Sequence, residues 1–125
     1  METNNNKTKF RFESLEIWQL AMELVKDIYK ITKKFPDNEK FSLISQLKRA
    51  VISISLNIAE GSGRKSKKDF ANFISNAQGS VLETATCLMI AKQENYIDNQ
   101  KYDLLANKLK TLYFKIFAFH KSLLN

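Results

Sequence analysis

Residues 46–64 read QLKRAVISISLNIAEGSGR, and this stretch decides the fold of the chain. Its apolar side chains recur at steps of three and four residues, which is the spacing of one buried face of an α-helix. This core stripe includes Leu47, Val51, Ile54 and Ile58. The stretch ends in the first two of only three glycines in the chain. The pattern predicts a long central helix followed by a sharp turn.

The composition favours a few long helices over a β-rich fold. The chain has three glycines and one proline in 125 residues, whereas an all-β domain needs a turn every ~8–12 residues. The length suits a single domain with a substantial core. The apolar fraction of 44% and the charged fraction of 26% are typical of a soluble globular protein.

The first helix is predicted to run from about Ser14 to Lys34. Ser14 is a suitable N-cap, because its hydroxyl can accept a hydrogen bond from an amide of the first turn. Pro36 ends the helix, since the residue before a proline is biased away from helical dihedrals. The residues expected in the buried stripe are Trp18, Ala21, Val25, Ile28, Thr32 and Phe35, widened by Met22, Leu24, Tyr29 and Ile31.

The second helix, which contains the central stretch, is predicted to begin near Asn38 or Lys40 and to end at about Glu60. Gly61 is placed to end it as a left-handed cap. A helix that is apolar on more than one side is buried on more than one side. We therefore expect an interface between subunits at its further apolar residues, which are Ile52, Leu56 and Ala59.

The third and fourth helices are predicted from their caps. Ser66 can cap the amide of Asp69, and Asp98 can cap the fourth helix after a turn at residues 95–96. Gly79 lies inside the third helix, where it costs ~1 kcal/mol relative to alanine. We expect the close approach of a neighbouring helix to offset that cost.

The fourth helix has a heptad-like apolar seam and a second apolar flank. The seam consists of Leu105, Leu109, Leu112, Ile116, Phe119 and Leu123, and the flank of Leu104, Tyr113, Phe117, His120 and Leu124. Four long helices with short connections predict an all-α fold, an antiparallel up-down-up-down four-helix bundle. The bundle is expected over residues 12–125, after a flexible basic arm at residues 1–11.

Polar residues form a second row on the central hairpin. On the second helix the row contains Gln46, Arg49, Ser53, Asn57, Glu60 and Arg64, and on the third helix Asp69, Asn72, Asn76, Ser80 and Glu83. An antiparallel hairpin would set Asn57 against Asn72 and Ser53 against Asn76. It would also pair the guanidinium of Arg49 with the carboxylate of Glu83. The row is interpreted as a network that fixes register, with a polar pocket as the alternative.

The known catalytic templates do not fit this sequence. The single histidine, His120, lies in an aromatic seam, which excludes the paired Glu-x-x-His pattern of di-iron bundles. The Gly61–Gly63 segment lacks the strand and the lysine of a phosphate loop. Glu60 and Asp69 could bind a divalent cation through oxygen ligands, although capping and pairing with neighbouring basic residues explain them more simply. We expect a protein without cofactor, resident metal or enzymatic activity.

The single cysteine and the N-terminus indicate the compartment. Cys87 cannot form an internal disulfide and lies in an apolar helical stretch, which predicts an inert buried thiol. The N-terminal residues are polar and lack the apolar core of a signal peptide. No stretch approaches the ~20 apolar residues of a membrane span. We expect a cytoplasmic protein without membrane contact.

The charge favours polyanionic partners. The chain carries a formal net charge of +7, and Arg64, Lys65, Lys67 and Lys68 cluster at the start of the third helix, where exposed amides attract anions. Further cations that could extend this surface are Lys7, Lys9, Arg11 and Lys48. We interpret the cluster as a contact for RNA or DNA phosphates with little sequence specificity. The aromatic residues lie mostly on core stripes, so base stacking has no clear support in the sequence.

The alternative interpretation makes the cluster a solvated charged loop that serves solubility. The protein would then be a structural or protein–protein interaction scaffold that binds no nucleic acid. Charge alone does not separate these two functions.

Residues 35–74, FPDNEKFSLISQLKRAVISISLNIAEGSGRKSKKDFANFI, resemble the signature of a bacterial family of four-helix bundle proteins. Its members are encoded in intervening sequences of 23S ribosomal RNA genes. The most specific part is Asn57-Ile58-Ala59-Glu60-Gly61, and matches at residues 79–83 and 96–97 extend the resemblance over nearly the whole chain. The resemblance implies a bundle that assembles as a homopentamer.

A related group widens what the resemblance implies. A group related to this family resembles the accessory variability determinants of diversity-generating retroelements. Those proteins are basic pentameric barrels that bind nucleic acid and the reverse transcriptase of the element. The resemblance therefore implies other copies of the chain, RNA or DNA, and a reverse transcriptase as partners.

Overall fold

Four α-helices make up most of the computed structural model, which describes residues 9–125. Their bounds are Glu16–Thr32 (α1), Leu43–Ser62 (α2), Lys67–Gln93 (α3) and Asn99–Leu124 (α4). Short 3₁₀ segments precede α1 at Arg11–Ser14 and α2 at Asp37–Glu39. The described residues contain no β-strand. The prediction of an all-α four-helix bundle is confirmed.

Ion pairs between α1 and α4 show their antiparallel arrangement. Lys108 Nζ lies 2.8 Å from the carboxylate of Asp27, and Lys115 Nζ lies 3.3 Å from that of Glu16. The residue number rises on one helix as it falls on the other, so the two chain directions are opposed. Both pairs are partly exposed, and such pairs contribute little to stability because water screens them. The helices are held mainly by their apolar faces.

One apolar stripe from each helix fills the core. The stripe of α2 is buried as predicted. The largest fully buried side chains are Leu24, Ile28, Leu47, Val51, Ile54, Ile58, Ile74, Leu88, Leu105, Leu109, Leu112 and Ile116. Burial of each such side chain is worth roughly 1.5–3 kcal/mol relative to exposure, so these residues dominate the stability of the fold. None of the helices within residues 9–125 is apolar over a length that could cross a membrane.

The start of α1 differs from the prediction. Ser14 is not an N-cap; it ends the first 3₁₀ segment, and its Oγ donates to the carbonyl oxygen of Arg11 at 3.0 Å. The buried stripe is also rotated, since Ile17 is buried whereas Trp18 is half-buried. The reason is that Trp18 packs at the edge of the bundle against the ring of Phe12, with 5.0 Å between centroids.

The second helix, α2, begins at Leu43, later than predicted. The residues before it form a hydrogen-bonded clasp with the loop between α3 and α4. Glu39 receives a hydrogen bond from Tyr96 Oη at 2.7 Å and another from Ser42 Oγ. The turn predicted at residues 95–96 is confirmed, and Asn95 there has φ of 64°, a left-handed conformation that asparagine tolerates. The α1–α2 and α3–α4 loops are thus joined at one end of the bundle, which we name the clasp end.

These hydrogen bonds shift two titrations in opposite directions. The bond from Ser42, followed by the bond from Tyr96, holds the pKa of the Glu39 carboxyl below its ordinary value, and burial opposes this effect. The same contact raises the pKa of Tyr96, because Glu39 accepts the phenolic proton in the hydrogen bond. The clasp is therefore strongest when Glu39 is ionised.

Gly61 has a different role from the predicted cap. No described glycine has a positive φ, and α2 continues through Gly61 to Ser62, with Gly63 as its C-cap at φ of −91°. A Cβ at Gly61 would lie 2.8 Å from Phe73 Cβ and 2.9 Å from Phe70 Cδ1. The missing side chain lets α3 pack directly on the backbone of α2.

The close approach predicted at Gly79 is wrong. A Cβ built there meets nothing within 4 Å, and the residue is exposed on α3. Close packing of the hairpin occurs instead near its turn, at Gly61.

We expect Gly61→Ala to lower the free energy of unfolding by roughly 1–3 kcal/mol, because the added methyl would overlap the ring of Phe70 and the Cβ of Phe73, which cannot move without the backbone of α3. Gly79→Ala is the matched control, with open space at the same kind of helical position. It should raise the free energy of unfolding by about 0.5–1 kcal/mol. Urea unfolding followed by circular dichroism measures both. Changes of the same sign in the two variants would contradict the assigned role of Gly61.

A second prediction concerns the pH dependence of the clasp. A carboxyl whose pKa is lower in the folded chain adds stability above its unfolded pKa of about 4.3, and that stability is lost as pH falls through the folded pKa. We expect Glu39→Gln to have a lower urea midpoint than the wild type at about pH 7, with the gap closing toward about pH 3. Tyr96→Phe should also have a lower urea midpoint than the wild type at about pH 7, and this difference should shrink toward about pH 3 by a smaller amount. A gap that stays constant with pH would contradict the clasp.

Candidate nucleic-acid interface

The turn between α2 and α3 presents four cations at the end of the bundle opposite the clasp. Residues 63–69 are all exposed. Ser66 caps α3 as predicted, its Oγ accepting a hydrogen bond from the amide of Asp69 at 3.0 Å. We name residues Arg64–Lys68 the basic turn. The two ion pairs within residues 9–125 both join α1 to α4, so neither neutralises a cation of the basic turn.

Arg64 is held in place by an aromatic ring. Its guanidinium carbon lies 4.5 Å from the ring centroid of Phe73, within the range of a cation–π contact. Phe73 is also the residue whose Cβ approaches Gly61 most closely. The position of this cation therefore depends on the close packing of α2 and α3.

The segment before α1 reaches the basic turn. Arg11 Nη1 donates to the carbonyl oxygen of Ser62 at 3.5 Å, and Ser62 is the last residue of α2. Lys9 is exposed two residues earlier. Residues 9–11 are the described part of the predicted arm, whereas residues 1–8, with Lys7, lie outside the described residues. The structure thus brings Arg11 to the cluster that the sequence places at residues 64–68.

The end of α4 lies at the same end of the bundle. Phe119 contacts Phe70 edge to face, with 5.4 Å between ring centroids. This contact brings the half-buried His120 and the exposed Lys121 to the start of α3. The cluster predicted from the sequence does not include Lys121. The available signal was the length of α4, since a long antiparallel helix returns to the level at which its predecessor starts.

Lys48 does not join the basic turn. It lies 14 residues before Ser62 on α2, about 21 Å along the helix axis at 1.5 Å per residue. Its Nζ lies 4.5 Å from the ring centroid of Tyr29 on α1. Its charge therefore belongs to the α1–α2 face.

The polar row links α2 to α3 through two direct contacts. Gln46 Nε2 donates to Glu83 Oε2 at 2.5 Å, and Ser80 Oγ donates to Ser53 Oγ at 3.0 Å. Asn57 bonds within its own helix, its Nδ2 donating to the carbonyl oxygen of Ser53 at 2.9 Å. These bonds occupy the hydroxyls of the row, and such a contact fixes register without providing a base or a nucleophile.

The predicted pairing of Arg49 with Glu83 is wrong. Neither ion pair of the described residues involves Arg49, and Gln46 takes the carboxylate instead. Arg49 is exposed, one turn further along α2. Three other predicted members of the row, Glu60, Asn72 and Asn76, are exposed. Asn76 accepts a hydrogen bond from Ser80 through its backbone carbonyl oxygen.

The structure shows the surroundings of the Cys87 thiol and of the two carboxylates, Glu60 and Asp69, that could bind a cation. Burial, with a smaller contribution from Glu83, raises the pKa of the Cys87 thiol and keeps it protonated. Glu60 and Asp69 are both exposed near the basic turn. Within residues 9–125, no three His, Cys, Asp or Glu side chains come together in a way that could hold a metal ion.

Exposed apolar residues lie on two different faces of the bundle. A groove of about 470 Å³ between α3 and α4 includes Leu82, Met89 and Phe114, of which Phe114 is 66% exposed. On the α1–α2 face, Tyr29 is exposed beside Lys48. In the order of helix contacts, α1 packs on α2 and α4, and α3 packs on the same two helices, so these faces are opposite one another.

Comparison with known proteins identifies the family of this chain. The model of the 23S rRNA-intervening sequence protein family matches residues 13–118. A crystal structure of a protein of unknown function from the S23 ribosomal protein family of Bacteroides thetaiotaomicron has a TM-score of 0.75. It is 23% identical, over 84% of this chain and 98% of that chain, which shows a shared fold. No curated protein matches. The chain belongs to the family of 23S rRNA-intervening sequence proteins.

Proposed function

We propose that this protein binds RNA or DNA through phosphate contacts at the basic turn, with little dependence on base sequence. The observation that supports the proposal is the set of exposed cations at Arg64, Lys65, Lys67 and Lys68, which neither of the ion pairs in the described part of the chain neutralises. Like charges held this close repel one another, and a polyanion relieves that repulsion.

Local backbone geometry adds to the attraction for phosphate. The basic turn leads into the N-terminus of α3, where the first amides of a helix have no partner within the helix. Ser66 satisfies one of these amides, that of Asp69. The others point along the positive end of the helix dipole and can donate to phosphate oxygens. Lys9, Arg11 and Lys121 add charge around this position.

The function that we propose is binding, with no catalytic activity. The Ser53 and Ser80 hydroxyls of the polar row bond to one another. The single histidine follows Phe119, which contacts Phe70, and Ser80 lies ten residues further along α3, about 15 Å along the helix axis. Nucleophilic or acid–base catalysis requires a base within hydrogen-bond reach of the group it activates. We place the protein in the cytoplasm. A reverse transcriptase stays a prediction that the family resemblance implies.

A second candidate function, assembly into a homo-oligomeric scaffold, is favoured by the apolar faces. The groove of α3 and α4 and the exposed Tyr29 on the α1–α2 face belong to different surfaces on opposite sides. Two different surfaces that join copies head to tail produce a ring if the rotation closes. We propose a homopentamer, the state that the family resemblance implies. Assembly is compatible with nucleic-acid binding and would repeat the basic turn around the ring.

The nucleic-acid proposal predicts a specific salt dependence. The affinity of the wild type for a generic single-stranded RNA should fall as the salt concentration rises. Each phosphate contact contributes roughly 0.7–0.9 to the slope of log affinity against log salt. Replacing Arg64, Lys65, Lys67 and Lys68 by glutamine should therefore reduce the magnitude of this slope by about 3. Fluorescence anisotropy across a potassium chloride series measures the slope.

The matched control removes the same number of charges elsewhere. Lys26, Lys33, Lys34 and Lys101 are exposed and lie outside the basic turn. Their replacement by glutamine should leave the slope nearly unchanged, although both variants lose four charges from a net +7. Equal losses in the two variants would contradict a localised site. No binding by the wild type at low salt would contradict the proposed function.

The assembly proposal is tested by light scattering. The wild type should have the mass of a pentamer, against 14.5 kDa for one chain. Phe114→Glu introduces a charge into the α3–α4 groove and should shift the population toward smaller species. Phe41→Glu, at a residue 90% exposed in the clasp-end loop, is the control and should keep the wild-type mass. A wild-type protein that scatters as a monomer would contradict the proposal.

A further inference from the structure

The aromatic residues before α1 form a stack whose outer ring is exposed. The rings of Phe10 and Phe12 are nearly parallel, with 5.4 Å between centroids and 7° between planes. Phe12 packs in turn against Trp18, which borders the core. Phe10 is 68% exposed. Because Phe12 covers one side of the Phe10 ring, the other side is open to solvent.

Hydrogen bonds hold this stack in position. The amide of Phe10 donates to Glu13 Oε2 at 2.7 Å, and the amide of Glu13 donates to the carbonyl oxygen of Phe10 at 3.1 Å. Gln19 Nε2, on α1, donates to the carbonyl oxygen of Glu13 at 2.8 Å. A ring that is already ordered loses little conformational entropy when a ligand stacks on it.

The stack lies beside the basic turn. Arg11 directly follows Phe10 and donates to the carbonyl oxygen of Ser62, two residues before Arg64. Lys9 directly precedes Phe10 in the sequence and is exposed. The nearest carboxylate in sequence, that of Glu13, is engaged by the Phe10 amide, whereas Glu60 near the end of α2 is exposed and opposes anions. An exposed ring that is flanked in sequence by two cations and lies near the basic turn combines the positive charge and the aromatic face that single-strand binding sites use.

We propose that the ring of Phe10 stacks a nucleobase, so that the nucleic acid bound at the basic turn is single-stranded. This inference rests on the function proposed above and adds the class of its ligand. A base inside a duplex is covered on both faces by its neighbours, whereas a base of a single strand can offer a face to an aromatic side chain. Stacking is tolerant of sequence, since every base has such a face.

Phe41 provides the contrast within the same chain. It is 90% exposed, more than Phe10, but it belongs to no aromatic pair in the described part of the chain. Its ring lies 5.7 Å from Lys40 Nζ, in the clasp-end loop that also contains Asp37 and Glu39. Phe41 therefore shares with Phe10 an exposed ring, but it lacks the ordered aromatic stack and the neighbouring cation cluster. A variant at Phe41 controls for exposure alone.

The test compares three fluorescein-labelled probes of about 12 nucleotides, a length within the usual site sizes of single-strand binding folds. They are a mixed-sequence single strand, an abasic strand with the same phosphates, and a duplex. In anisotropy titrations the wild type should bind the single strand roughly 5- to 100-fold more tightly than the abasic strand. Phe10→Ala should bind these two probes alike, and Phe41→Ala should retain the wild-type preference.

A restoring variant separates stacking from other losses. Phe10→Trp should recover the preference for bases, and the fluorescence of its added indole should be quenched by the single strand and not by the abasic strand. If the wild type binds the three probes equally and Phe10→Ala changes nothing, the stacking proposal is overturned while phosphate binding stands. If the wild type binds none of them at low salt, the proposed function fails, and this inference fails with it. A change in oligomeric mass without a change in probe preference would assign the ring to a contact between copies, which also overturns the proposal.

Discussion

The packing of two phenylalanine side chains on the backbone of Gly61, Phe73 through its Cβ and Phe70 through its ring, is the contact on which the rest of the structure depends. Because Gly61 has no side chain, Phe70 and Phe73 of α3 lie directly against α2. Phe73 then supports the guanidinium of Arg64, and Phe70 receives Phe119 from the end of α4. One glycine thus fixes the closeness of the hairpin, the position of a cation and the docking of the last helix.

The two ends of the bundle treat charge in different ways. At the clasp end, the carboxylate of Glu39 is hydrogen-bonded by Tyr96 and Ser42, so the loops satisfy one another. At the other end, the basic turn holds its cations in solvent and Arg11 approaches them. Concentrating one sign of charge destabilises a compact state through repulsion, and it also draws in ligands of the opposite sign. The charges at the clasp end therefore stabilise the fold, whereas the charges at the basic turn favour the binding of an anionic ligand.

The helices and the N-caps at Ser66 and Asp98 could be predicted because they depend on local spacing, whereas the N-cap predicted at Ser14 is wrong. The role of Gly61 could not, since a glycine near a helix end is compatible with a cap until the neighbouring helix is known. Spacing also failed to separate Arg49 from Gln46 as the partner of Glu83, because both lie on one face of α2, about one turn apart. Phe10 precedes the first α-helix, where no periodicity tells a buried ring from an exposed one, so an aromatic platform had no signal. The four clustered cations needed no fold to be found.

Photo-cross-linking tests the central claim most directly, because it locates nucleic acid on the folded chain. A single-stranded RNA containing 4-thiouridine is bound at low salt and irradiated, and the cross-linked peptides are identified by mass spectrometry. We expect cross-links within residues 9–12 and 63–69, and none within the clasp-end loop at residues 37–42, although that loop has the more exposed phenylalanine. Cross-links concentrated at the clasp end, or spread evenly over the lysines of all four helices, would contradict the basic turn as the nucleic-acid interface.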